Sequence, residues 1–350
     1  MRAVAILAPF VNEREVRAFE VAGVSLFTGN ELDPTDEPDA ALIFGGDGTV
    51  HRHLGTLVSK RTPMLAVPVG SANDFASTLG IDSVEQAVAA WKQFCETREN
   101  SCLIDLGTIQ PLHPFEAAEM LPALREDPDE PWQGESLETL HFVPDGPRRD
   151  LPKLGPRIEQ SQARRWLEAE REASRTTYFA GIAGTGLDAA VNRQTMKYPR
   201  WLRAHGGYVL ALLQVLGGFR PPQVTVSLEI EGHWQTPVRE PAMLIAVGNG
   251  PRYGSGMRLT HLAELDDGLL DVCFVRQLGK LRLARLFHVV FRGAHLGMKE
   301  VEYWKATRVR IQTDPVMELF ADGEYNCRTP VELAVRREAL RVVVPAVPRN

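Results

Sequence analysis

Three aspartates, each at or near the end of an apolar run, are the residues of this chain best suited to chemistry. Asp47 stands in "ALIFGGDGTVHRHL" (41–54), Asp74 in "PVGSANDFA" (68–76), and Asp105 closes "SCLID" (101–105). Glycine lets a backbone turn tightly and lets a ligand come close to it. The free amides of such a turn, and of the helix start behind it, suit a phosphate. Gly45, Gly46, Gly48 and Thr49 therefore read as a phosphate cradle, with Thr49 either capping the helix or bonding a phosphate oxygen. A carboxylate repels phosphate, so Asp47 makes sense with a divalent cation between the two, directly or through water. A strand-end turn closed by an Asx bond explains the same residues without a ligand. The loop matches neither G-x-x-x-x-G-K-[ST] nor G-x-G-x-x-G.

The elements that must position these residues follow from the hydrophobic pattern. "VAILAPF", "VSLFTG", "ALIF", "MLAVPVG" and "SCLIDLGTI" read as strands. Helices are expected over 50–59 and over 83–95, the second capped by Ser83. Alternating strands and helices predict a parallel sheet covered on both faces. Consecutive strand C-termini of such a sheet share one edge, where ligands bind, so Asp47, Asp74 and Asp105 are expected to face one crevice. Each also has a plainer role to hand: Asp74 as a helix cap, Asp105 as a turn residue.

From Pro111 to Arg175 the chain is rich in Pro, Glu and Asp and ends in a charged helical stretch, "RIEQSQARRWLEAEREASR"; a surface insertion fits it best. Beyond Thr176 come short β-branched segments separated by turn residues, a largely antiparallel domain. Helices over 206–216 and 281–291 interrupt it. The second carries Arg and Lys on one face and reads as an amphipathic cover for the β domain, or as a face for anionic lipid. The domains expected are 1–110, an insertion 111–175, 176–335, and a last strand and tail, 336–350, that can return to the first domain.

A formal net charge of −6 argues against a sequence-independent nucleic-acid binder. Cys95, Cys102, Cys273 and Cys327 match no zinc or disulfide pattern and read as reduced thiols of a cytoplasmic protein. No segment is apolar for long enough to span a bilayer. His51 and His53, spaced i, i+2, read as surface residues of a helix that could also touch phosphate.

"GGDGTV" followed by "PVGSANDFA" resembles the diacylglycerol kinase catalytic family, which includes bacterial lipid kinases and sphingosine kinases. "TYFAGIAGTGLDAAV", "AVGNGPRYGSGMRLTHLAELDDGLLDV" and "FADGE" follow in that family's order. The resemblance implies an N-terminal α/β nucleotide domain with a parallel sheet, then a mainly antiparallel β-sandwich domain, with the active site between them. It implies transfer of the ATP γ-phosphate to a lipid hydroxyl, with Mg²⁺, by a cytoplasmic protein that meets the membrane from the side and can form a homodimer. Nucleotide contacts carry over onto Gly45, Gly46, Asp47, Gly48, Thr49, Val50, His51, Ser71 and Asn73. A carboxylate–water–Mg²⁺ network carries over onto Asp47, Asp74 and Asp105. A structural Mg²⁺ carries over onto the Asp267 side chain and the Glu264 and Leu269 backbone oxygens. The general base falls on Glu324. Read locally, "ADGEY" is only a hairpin turned at Asp322-Gly323, with Glu324 exposed, and "ELDDGLLDV" only a turn before a strand. The family usually has Asn where this chain has His51, and the usual Asn-Pro and Ser-Gly elements are missing from the first strand. Two other functions stay open: an NAD kinase-like phosphotransferase, and a catalytically silent nucleotide- or lipid-binding homologue.

Overall fold

The structure is a computed structural model describing residues 1–32, 35–112, 176–199, 207–254 and 256–345. The insertion and its charged helical stretch, apart from residues 111 and 112, lie outside the described residues.

The apolar runs of the first third become β1 (Arg2–Leu7), β3 (Ala40–Gly45) and β4 (Met64–Pro68), buried almost end to end. Strands covered on both faces require such composition. With β2 (Ser25–Gly29) they pair in parallel in the order β2-β1-β3-β4. A single turn, α1 (Glu13–Val16), follows β1, and α2 (Asp47–Lys60) follows β3. Two helices, α3 (Asp74–Thr78) and α4 (Val84–Thr97), follow β4. Ser83 caps α4 as its sequence predicts, accepting from Gln86 N at 3.3 Å. The start of α2 differs from expectation. Gly46 is its N-cap, with no side-chain bond, so the helix begins at Asp47 rather than Val50.

The strand bearing Asp105 also differs. β5 (Ser101–Pro111) continues past Asp105 and pairs antiparallel with β16 (Val331–Val343), from Val343 opposite Ser101 to Val331 opposite Pro111. One end of β16 lies parallel to β4, with Val342 opposite Met64; the other pairs with β13 (Arg308–Asp314). Both long strands therefore belong to both halves of the molecule, and the boundary expected at 335/336 falls inside one of them. At the crossing β16 shifts register between Arg336 and Leu340, and Glu338 is left-handed with φ 49°.

The second half is antiparallel: β6 (Thr177–Phe179), β7 (Ile182–Gly186), β8 (Gln223–Ile230), β9 (His233–Trp234), β10 (Val238–Gly248), β11 (Leu270–Arg276), β12 (Val301–Ala306), β14 (Glu318–Ala321) and β15 (Glu324–Arg328) complete the strands. β10 changes partners along its length. Val238–Pro241 pair with β8, and Leu244–Gly248 pair with β7 and β11. One strand thus passes between two layers, and the sandwich core of Val226, Ile245, Phe274, Val309, Ile311 and Leu333 fills the space between them. The alternation of exposed and buried residues in β13 is the period-2 pattern of a strand with one face inward. Helices α5 (Leu187–Thr195), α6 (Gly207–Leu216) and α7 (Lys280–Val290) pack on the other face of β7, β10 and β11 around a separate apolar cluster. The core of the first half includes Leu340, Val342 and Val343 from β16. Among the described residues no helix is long and apolar enough to cross a membrane. All four cysteines are free.

Candidate functional site

Because β3 and β4 are parallel neighbours, their C-terminal ends deliver two loops side by side. The loops meet backbone to backbone: a Cβ on Gly70 would lie 2.5 Å from Gly46 Cα and 2.7 Å from Gly46 N. Asn73, left-handed at φ 56°, folds back on this contact. Its Oδ1 accepts from Gly70 N at 2.9 Å and its Nδ2 donates to Gly70 O at 2.8 Å. Gly45 is bare because Thr49 lies across it; a Cβ there would sit 2.4 Å from Thr49 Oγ1. Thr49 is thus the third residue of α2, packed inward, and does not cap it. The Val50 side chain also points into the core, leaving its amide bonded to Gly46 O at 3.2 Å. Ser71 is exposed on the second loop.

Asp47 joins the two loops. Its Oδ2 accepts from Asp74 N at 3.1 Å and its Oδ1 from Phe75 N at 2.9 Å, so a carboxylate in the first turn of α2 caps α3. Burial pushes the Asp47 carboxyl up to about 6; the Asp74 and Asp322 charges add to this, against the two amide bonds. Asp74, also buried, is the acidic residue whose charge acts on it most.

The third wall comes from the second half of the chain. β14 and β15 form a hairpin whose turn residues Asp322 and Gly323 both have positive φ, 49° and 84°. That is the geometry an Asp-Gly pair favours in a two-residue turn. The turn delivers two carboxylates to α2. Glu324 Oε1 sits 2.7 Å from where a Cβ on Gly48 would be, so only glycine leaves room for it. Asp322 accepts from Ala180 N at 3.0 Å and Gly181 N at 2.8 Å, and its Oδ2 lies 3.0 Å from His51 Nδ1. Burial pulls the His51 imidazole down, but the Asp322 bond and charge and the Glu324 charge outweigh it, and its pKa rises. His53, expected at the surface, is buried. A second bridge joins the halves where Arg252 Nη1 donates to Ser77 Oγ on α3.

Asp105 does not sit at a strand end. It lies within β5, 3% exposed, at the crossing of the two halves. Its Oδ2 accepts from Gly268 N and its Oδ1 from Glu338 N, both at 2.7 Å. It therefore pins the β16 irregularity to the 265–268 loop. The residues expected to hold a structural metal are arranged differently from that expectation. Asp267 Oδ2 is 2.6 Å from Lys305 Nζ, and Asp267 Oδ1 accepts from Leu269 N at 3.0 Å. Lys305 also reaches Asp271 Oδ2 at 3.4 Å and Leu262 O at 3.3 Å. Arg337 lies against Gly268 from the other side. The Asp267 carboxylate that a divalent ion would need is thus engaged by the Lys305 ammonium. Among the described residues no group of three or more His, Cys, Asp or Glu could hold one.

α5, α6 and α7 line a cavity of about 220 Å³. Leu212, Leu244, Met257, Leu286 and Val290 line it, and Asp188 and Tyr208 stand at its wall. Asp188 Oδ1 accepts from Tyr208 Oη at 2.9 Å and Oδ2 from Tyr253 Oη at 3.1 Å. Burial pushes the Asp188 carboxyl up to about 6, against those two bonds. Tyr253 is close enough to the hairpin for the Asp322 charge to act on it. Val209, Leu210 and Leu213 of α6 are exposed, the last by 65%, and Val209 and Leu213 also line the cavity. Asp322, Asp188 and Tyr253 were not singled out from sequence. "ADGE" signalled the turn alone, and Asp188 stood within "TYFAGIAGTGLDAAV" with no role of its own.

Residues 9–109 match the diacylglycerol kinase catalytic domain family, and residues 181–344 match the YegS C-terminal NAD kinase beta sandwich-like domain. A Mycobacterium tuberculosis protein named diacylglycerol kinase is 25% identical over 313 residues, covering 88% of this chain and 77% of that protein. A Chromohalobacter salexigens relative named as a YegS-like lipid kinase is 27% identical over 306 residues, covering 86% and 74%. A crystal structure of a diacylglycerol kinase from Bacillus anthracis superposes with a TM-score of 0.57 at 15% identity, covering 98% of this chain and 96% of that one, which establishes the shared fold. The chain thus carries, in order, a diacylglycerol kinase catalytic domain and a YegS-type β-sandwich domain.

Proposed function

We propose that the protein is an ATP- and Mg²⁺-dependent lipid kinase that transfers the γ-phosphate to a lipid hydroxyl. The observation that carries this is the placement of Glu324. A carboxylate from the second domain rests on the first turn of α2, beside a glycine-walled pair of loops. Phosphoryl transfer asks mainly for positioning and charge neutralisation. The amides at Gly46 to Gly48 and the exposed Ser71 loop hold the phosphates, and Glu324 accepts the hydroxyl proton, a role worth about 10²–10⁴-fold. Asp47 and Asp74, brought together where the first turn of α2 caps α3, would hold a magnesium ion through water. Magnesium bound there with the nucleotide would offset charge on the transferring group. The cavity receives the hydrocarbon part of the acceptor, and exposed Leu213 and Leu210 on α6 rest on the membrane surface.

Labelled ATP supplied with a lipid extract, or with NAD, tests this. Label is expected in the organic phase and is lost with Glu324→Gln. Label only in a water-soluble dinucleotide would replace the lipid reading with the NAD kinase-like one. No transfer to either, with ATP still bound, would leave a silent binding protein.

A further inference from the structure

The second domain sends one charged group to each of the two loops of the first, and the charges are opposite. Glu324 rests on Gly48 at the start of α2. Arg252 reaches α3, behind the other loop, where its Nη1 donates to Ser77 Oγ. Both groups hang from the same stretch of backbone. Ala180 N and Gly181 N hold Asp322, two residues before Glu324. Gly181 O accepts from Asn249 N at 2.9 Å and from Gly250 N at 3.1 Å, just ahead of Arg252. A Cβ on Gly181 would lie 2.9 Å from Asp322 Oδ1 and 3.7 Å from Arg252 O. Asn249 Nδ2 ties the same loop to Asp105 O at 2.9 Å and to Ala180 O at 3.3 Å.

Arg252 is half-buried, yet among the described residues no carboxylate meets it. Arg193, Arg276, Arg308 and Arg310 of the same domain are each paired with a glutamate. The partner of Arg252 is neutral, and that hydroxyl gives its own proton to Asp82 Oδ1 at 2.5 Å. Ser77 therefore offers Arg252 a lone pair, occupies one of its five donors and leaves its charge uncompensated. Ser77 stands three residues from Asp74 on α3, which brings the guanidinium within a helical turn of the second loop. The two basic side chains at the start of α2 are otherwise engaged: His51 with Asp322, and exposed Arg52 with Gly48 O at 3.2 Å. A planar fork of donors, fixed at this junction by a serine alone, matches a phosphate.

We propose that Arg252 binds an oxygen of the β- or γ-phosphate of the nucleotide and offsets the charge that gathers there during transfer. This rests on the phosphotransfer reading above. The acceptor oxygen bonds to the γ-phosphorus as its proton passes to Glu324. The bond from that phosphorus to the β–γ bridging oxygen breaks, and its electron pair stays with ADP. The guanidinium meets the phosphate oxygens around that bridge, where positioned positive charge lowers the barrier. The Ser77 bond holds it in reach before nucleotide arrives.

Calorimetry of the whole protein with magnesium-ATP and with AMP tests the contact without any transfer. Arg252→Gln is expected to lose about 10–100-fold in ATP affinity, the worth of a charged hydrogen bond, and to keep its AMP affinity and melting temperature. Arg252→Lys, which keeps the charge and loses the fork, is expected to fall between that variant and wild type. Ser77→Ala removes the dock and keeps the guanidinium, so it is expected to retain ATP affinity; a mere strut between the halves would be lost equally in both variants. In lipid phosphorylation, Arg252→Gln is expected to fall about 10²–10³-fold in kcat, and Arg252→Ala to recover part of its loss when guanidinium ion is added. Wild-type ATP affinity in Arg252→Gln, an equal loss of ATP and AMP, or an equal loss in Ser77→Ala overturns the proposal. Wild-type protein that binds ATP and labels no lipid removes the lipid kinase reading alone, and the comparison of ATP with AMP still decides the role of Arg252. Wild-type protein that binds no ATP overturns both.

Discussion

Replacing Asp47 by asparagine should help or harm folding depending on pH. Burial, with Asp74 and Asp322 behind it, moves the Asp47 carboxyl from 3.8 to about 6 in the folded protein. An acid with a raised folded pKa holds its proton more tightly folded than unfolded. Its stabilising contribution is therefore intact below about pH 4 and is lost as pH rises through the folded value. A gap of about two units corresponds to about 3 kcal/mol, at 1.36 kcal/mol per unit. Asparagine escapes that loss because it never ionises. It keeps an oxygen for Phe75 N but gives up the acceptor for Asp74 N, at about 1 kcal/mol. Asp47→Asn should then be less stable than wild type by about 1 kcal/mol near pH 3 and more stable by about 2 kcal/mol near pH 8, crossing between about pH 4 and 5. Urea unfolding at intervals across that range, in magnesium-free buffer, reads the two curves. Parallel curves would show that the charge on Asp47 costs the fold nothing and would refute the acid-cluster argument. The same substitution should abolish phosphoryl transfer, so the stability gained at high pH marks a group kept for function.

Two further outcomes are expected. Gly70→Ala would push a methyl to within 2.7 Å of Gly46 backbone atoms that cannot yield; we expect a loss of about 1–3 kcal/mol by unfolding, together with weakened ATP binding in calorimetry. A chelator should leave the nucleotide-free melting temperature unchanged, because Lys305 already pairs with Asp267 and Asp271. Lys305→Met should cost about 1–2 kcal/mol by leaving those carboxylates uncompensated, and a chelator-sensitive wild-type melt would contradict the ion-pair account.

The parallel half was legible because strands buried on both faces must be written in apolar runs, and Ala40–Gly45 is such a run. Two boundaries were not. Asp105 was expected at a strand end, yet the strand runs on through Gly107, which is bare because the Phe179 ring crosses it. A glycine that makes room for a ring and a glycine that bends the chain look alike in sequence. At the site, the loops of β3 and β4 could be read because their partners are close in sequence and follow from the period of the sheet. Asp322 could not: its partners lie 141, 142 and 271 residues away. The Lys305 pairing was hidden likewise, 38 residues beyond Asp267, on a strand whose register no local pattern reveals.

The shared pair β5 and β16 limits how this molecule can move. Enzymes that trap two substrates between lobes commonly do so by pivoting on a slender linker, but here the connection is two long strands laddered through both lobes. Bending there would tear main-chain hydrogen bonds and disturb the bulge that Asp105 clamps. The gap between nucleotide loop and hairpin is consequently preset, and accommodation of a greasy acceptor falls to α6 and its neighbours. Cutting the gene between the lobes would not yield two working pieces, because the first would lack the strand that completes its sheet beside β4.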